Sequence, residues 1–206
     1  MKKTLTLVVL IVTPTMAFAQ GTVLLQNQTG LVKQWTASDP TLINVPKNGG
    51  YVELIAAPVG IPLVGSIMNY SSLAGFLAAN PGWAVAGGQA YPIAFAPGLF
   101  NSGTVTINNI AAGASAEYFI LAWTGAFNTW DAALASGSGA FGQSAIATTT
   151  TGDPLASPVP GLPVSLRYTF AGLMTPLLAI APIPEPTSFA LAGLGLAALL
   201  VFRRRR

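Results

Sequence analysis

Short runs of the chain alternate apolar and polar residues with period two. Val105 and Ile107 alternate with Thr104, Thr106 and Asn108, which predicts a half-buried strand. In "LPVSLRYTFAGL" the same period sets Val164, Leu166, Tyr168 and Phe170 on one face. Other runs are mostly apolar. Tyr51 to Ala56 reads as extended after a Gly49-Gly50 turn, and Glu117 to Trp123, bounded by glycines, reads as a central strand. A first strand starts at Thr22 and turns near Gly30. "FNTWDAALASG" predicts a short helix, with Asn128 as cap, Asp131 in the first turn and Gly137 at the stop. "SSLAGFLAAN", ended by Pro81, predicts a second. Ala147 to Pro163 reads as a long loop, and no repeat of fixed period is present. Strands punctuated by Gly, Pro and Asn in this way predict a mainly β chain: an antiparallel β-sandwich with one or two short helices.

Both ends depart from this pattern. "MKKTLTLVVLIVTPTMAFAQ" places Lys2 and Lys3 before an apolar stretch, Leu5 to Val12, and then small residues, Ala17 and Ala19, before Gln20. This order predicts a secretory signal helix over 1–19, cut by signal peptidase before Gln20. The apolar stretch is short for a membrane span, and Pro14 interrupts it. Toward the other end, residues 189–202 carry no charge. As a helix, 187–202 would extend about 24 Å at 1.5 Å per residue, against a hydrocarbon core of about 30 Å. That predicts a C-terminal transmembrane helix of marginal length. Arg203, Arg204, Arg205 and Arg206 then serve as the membrane stop and hold that end on the cytoplasmic side. A transient stop and a retained single-pass anchor both fit this segment.

Charge looks different once the ends are set aside. The net charge of +3 and the pI near 9.5 come from Lys2, Lys3 and the four terminal arginines. The interior keeps Lys33, Lys47 and Arg167 against six acidic residues. No basic patch remains for phosphate neutralisation, so nucleic acid is not an expected partner. Cysteine and histidine are both absent. That removes disulfides, Cys/His metal sites and imidazole catalysis. No cofactor and no metal is expected.

Pro184, Glu185 and Pro186 precede the apolar segment and the arginines. Tripeptide, short apolar helix and basic end, in that order and in a chain that opens with a signal peptide, resemble the PEP-CTERM sorting signal of exported Gram-negative proteins. The resemblance implies that a membrane-embedded exosortase recognises the tripeptide and processes the tail. It also implies transient contact with the inner membrane and a cell-surface or extracellular destination. Physically, each proline fixes φ and pushes the residue before it toward extended backbone, so "APIPEPTS" favours an extended strip that suits a protease cleft. The resulting organisation is a signal peptide at 1–19, a β-sandwich domain at 20–181 and a sorting signal at 182–206. The middle resembles an uncharacterised group of PEP-CTERM proteins. Leu54 to Pro58 and Leu121 to Trp123 occupy two of that group's strand ends, and Thr124 stands where the group often has an acid. This resemblance implies a β-sandwich and no particular activity.

Candidate chemistry is sparse. Glu53, Glu117 and Asp131 are the acids a glycosidase would need as a pair, but strand-surface carboxylates explain them as well. Asp131 fits the helix start. Trp35 and Trp83, in turn-rich segments, are candidate glycan contacts, whereas Trp123 reads as core. Ser144 has no histidine to activate it. "GSGAFGQS" lacks the lysine of a phosphate loop, and no calcium-type loop is present. The expected role is therefore non-enzymatic: a structural or adhesive protein of the surface or extracellular matrix. The alternatives are a carbohydrate-binding module acting on exopolysaccharide, and a glycosidase.

Overall fold

The computed structural model describes residues 20–35 and 41–179. Their strands are β1 (Gln20–Gln26), β2 (Lys33–Trp35), β3 (Leu42–Asn44), β4 (Gly50–Pro58), β5 (Ala84–Val85), β6 (Tyr91–Pro92), β7 (Asn101–Ala111), β8 (Ser115–Thr124), β9 (Ala140–Gln143), β10 (Ala147–Thr150), β11 (Val164–Ser165) and β12 (Leu178–Ala179). Helix α1 (Leu73–Ala79) lies between β4 and β5, and α2 (Trp130–Ala135) between β8 and β9. The described part is mainly β and does not close into a barrel.

The antiparallel pair β4–β8 is the centre of the larger sheet, in register from Gly50↔Thr124 to Pro58↔Ala116. Strands β9 and β10 add on β8, β12 adds on β9, and the short β5 and β6 pair with β4. A second sheet has the order β11-β1-β7, and β2–β3 form a separate ribbon. Alternation sends Val52, Leu54, Ala56, Tyr118 and Ile120 to one face of the large sheet. There they share a core with Val23 and Leu25 of β1 and Val105 and Ile107 of β7. The opposite face carries Ile55, Phe119, Leu121 and Trp123 and is covered by Phe76, Trp83, Trp130 and Ala133 from the helical segments. A strand buried on both faces favours apolar residues at nearly every position, and β4 and β8 read as near-continuous apolar runs, interrupted by Glu53 in β4 and Glu117 in β8. Burial of each large side chain contributes about 1.5–3 kcal/mol.

Four expectations change. The strand after residue 163 ends at Ser165 and runs parallel to β1, so the sheets are not wholly antiparallel. Beyond it the backbone coils through bonds Thr169 N to Leu166 O, Ala171 N to Tyr168 O and Leu173 N to Phe170 O. That winding buries Leu166 and Phe170 but turns Tyr168 out to 60% exposure, so the three do not share a face. The stretch 147–163 is not all loop. Its threonines, β-branched and suited to a strand, form β10 along β8 from Ala147↔Tyr118 to Thr150↔Ser115. The cap of α2 is Thr129 rather than Asn128: Thr129 Oγ1 accepts from Ala132 N at 3.2 Å. Trp130 must enter the core against Trp123 and Phe141, which makes it the first helical residue and fixes the cap immediately before it. Gly137, at φ +61°, follows the helix end as expected. The predicted signal helix and C-terminal transmembrane helix lie outside the described residues. Among the described residues, no helix is long and apolar enough to cross a membrane.

Candidate functional site

One end of the small sheet opens into a cleft of about 280 Å³. Strand β1 ends there at Gln26, opposite Asn101 at the start of β7, and Arg167 follows β11. Asn27, just past β1, ties the floor together. Its Nδ2 donates to Gly30 O at 2.9 Å and Gly98 O at 3.0 Å, and its Oδ1 accepts from Phe100 N at 2.8 Å. Gly98 and Phe100 lie 71 and 73 residues from Asn27, and a single buried carboxamide satisfies all three backbone groups. The rim is set by a tight turn, in which Leu99 N donates to Ala96 O at 2.9 Å. Pro97 and Gly98 are the central residues, and Gly98 has φ +72°, the order and conformation of a type II turn. A Cβ at Gly98 would stand 2.9 Å from Val32 O, so only glycine fits. The turn leaves Phe95 at the rim with 65% of its surface exposed.

Opposite Phe95 the cleft is polar. Gln28 N donates to Arg167 O at 3.0 Å, and Tyr168 Oη donates to Gln28 Oε1 at 3.0 Å. The Arg167 guanidinium carbon lies 5.5 Å from the Tyr168 ring centroid, a cation–π contact. Gln26 Nε2 donates to Ser165 Oγ at 2.9 Å. This arrangement offers a flat apolar ring, carboxamides and one cation, with no nucleophile or acid–base pair among them. Periodicity did not point to it, because its residues lie at strand ends and in turns. The one sequence signal was Arg167, the only arginine of the chain's interior.

The residues singled out from sequence lie elsewhere. Trp83 is 4% exposed, with its ring 5.2 Å from Phe119 and its Nε1 donating to Pro62 O at 3.3 Å. It cannot offer a face to a glycan, which corrects its assignment as a contact. Trp35 is 41% exposed on the β2–β3 ribbon, level with Leu42. Trp35 and Trp83 therefore form no common platform. Trp123 is fully buried, as read from sequence. Ser144 is buried, its Oγ accepting from Ile120 N at 2.9 Å and donating to Ala145 O at 2.8 Å. Thr124 Oγ1 accepts from Ala140 N at 2.7 Å and so holds β8 to the start of β9. Gln20 opens β1. Ala17, Ala19, Pro184, Glu185, Pro186 and Arg203 to Arg206 lie outside the described residues.

The acids separate in an unexpected way. Glu117 accepts from Gly60 N at 3.3 Å, and Asp131 Oδ1 accepts from Leu73 N at 2.7 Å, so each holds backbone. Glu53 is no surface or edge carboxylate. It sits in β4 on the face that carries Tyr51 and Ile55, with 6% exposure, and its Oε2 has no hydrogen-bond partner. Burial pushes its pKa up from 4.5 to about 7, and the Asp131 charge adds to the rise. Glu53 and Asp131 thus sense each other, but one lies beneath the helical layer and the other on its surface. Among the described residues, no cluster of acids could hold a metal.

Residues 182–206 match the family described as the PEP-CTERM protein-sorting motif. No curated protein and no solved structure matches the chain. The match covers the tripeptide, the apolar segment and the arginines, the three parts recognised in the sequence. The chain carries a PEP-CTERM sorting signal, the mark of an exported, cell-surface-associated protein handled by an exosortase-type processing enzyme.

Proposed function

We propose that the chain is a non-enzymatic, structural or adhesive protein of the cell surface or extracellular matrix. On this reading a signal peptide over 1–19 directs its export, and the 182–206 tail is a transient membrane stop rather than a permanent anchor. The sorting motif at 182–206 carries the reading. The state of the acids supports the non-enzymatic part: Glu117 and Asp131 hold backbone, and Glu53 is buried with its Oε2 unpartnered. A glycosidase would need two carboxyl groups facing one cleft.

Mass spectrometry of the native protein, with fractionation of the cells that make it, tests this. The expected product begins at Gln20, ends between Pro184 and Thr187 and is found in the surface or extracellular fraction. An intact Arg206 in the membrane fraction would establish the retained anchor instead. Hydrolysis of a panel of glycosides by the purified protein would overturn the non-enzymatic reading.

A further inference from the structure

We propose that the cleft beside Arg167 binds an acidic glycan, with the sugar ring on Phe95 and its carboxylate on Arg167. The volume, about 280 Å³, lies at the small end of ligand sites and suits one ring of a longer chain. Phe95 is exposed but not loose, because Phe95 N donates to Leu99 O at 3.3 Å across the Pro97-Gly98 turn. Such a fixed ring offers its face to the C–H side of a pyranose at little entropic cost. Among the described residues the Asn101 carboxamide makes no hydrogen bond, and the Gln28 amide donors have no partner while its Oε1 accepts from Tyr168. Carboxamides donate and accept side by side, which matches a pair of neighbouring hydroxyls.

Arg167 adds the charge selection. Its guanidinium makes no ion pair and no hydrogen bond among the described residues, and Tyr168 holds it from one side. No acid is among the described residues that line the cleft. A planar fork of donors left open in this way favours a carboxylate, which it can grip with two bonds. A peptide fits less well. The backbone groups at the cleft are already used: Asn27 N donates to Phe100 O, Gln28 N to Arg167 O, and Phe100 N to Asn27 Oδ1.

The purified, processed protein is titrated calorimetrically with an oligogalacturonate, with its methyl ester and with a poly-glutamate peptide. Binding of the oligogalacturonate, at least tenfold tighter than of the ester and the peptide, is expected. Arg167→Gln should lose about tenfold for the acid form and little for the ester, whereas Arg167→Lys should recover part of the loss. Phe95→Ala should weaken both sugars. Both side chains are exposed, and unchanged melting temperatures will show that the variants fold. Amide resonances of Gln28 and Asn101 should shift on addition of the acid sugar. No binding at millimolar sugar, equal binding of the ester or the peptide, or an unaffected Arg167→Gln overturns the proposal. The sorting reading can survive any of these results, since it is tested by the tail and not by the cleft.

Discussion

At the scale of single residues, two buried polar groups decide how the protein responds to pH and to substitution. Glu53 prefers its protonated form in the fold, where its pKa stands at about 7, against an ordinary 4.5. Between those values the folded state binds more protons than the unfolded one. Stability therefore falls as pH rises through this window and is lowest above pH 7. Glu53→Gln should raise stability at pH 8 by on the order of 3 kcal/mol and have little effect at pH 4. Urea unfolding of both proteins at the two pH values measures this, and parallel pH profiles would refute it. Tyr118 is fully buried in the core between the sheets, and its hydroxyl has no partner. Burial holds that phenol well above its usual range. Tyr118→Phe removes an unpaired polar atom and keeps the ring, so stability should stay level or rise by about 1 kcal/mol. A loss above that size would mean the hydroxyl has a partner in solution.

At the scale of elements, the helical layer is joined to itself by one carboxylate. Asp131 lies in the first turn of α2, where negative charge is favourable, and it also accepts from Leu73 N, the first residue of α1. It thereby caps a helix whose own Ser72 side chain accepts from Gly75 N at 3.0 Å. Asp131→Ala should cost about 1 kcal/mol, as for other lost caps, and should lower the pKa of Glu53. Carboxyl carbon shifts of Glu53 followed over pH read the second effect, which a purely local cap would not produce. On the other side of the fold, Asn27 holds the loops at Gly30, Gly98 and Phe100. Asn27→Ala would leave three backbone groups without their partner, so a loss of about 2–3 kcal/mol is expected in thermal or urea unfolding. The helix near Asp131 was legible in the chain because caps and apolar spacing are local. The loop held by Asn27 was not, because its partner Phe100 is 73 residues away.

At the scale of the whole molecule, a described domain is coupled to a short address. Exchange of Pro184, Glu185 and Pro186 for alanine removes the tripeptide but leaves the domain untouched. The variant should fold as the parent does, keep its tail by mass spectrometry and accumulate in the membrane fraction. Normal processing would show that the tripeptide is not what the enzyme reads.

The sequence by itself determined the mainly β character, the central strand, the helix starting near residue 130 and the sorting motif. Each rests on neighbours along the chain: period-two spacing, mostly apolar runs, a cap and a stop, a tripeptide ahead of an apolar segment. Only the tertiary structure decided which polar residues are buried. Glu53 reads as a surface acid until the helical layer covers it, and Trp83 as an exposed platform until Phe119 meets it. Only the tertiary structure, too, brought Phe95, Gln28 and Arg167 to one cleft and left Arg167 without an acid among the described residues. Burial and proximity arise from contacts between distant segments, which no local pattern encodes.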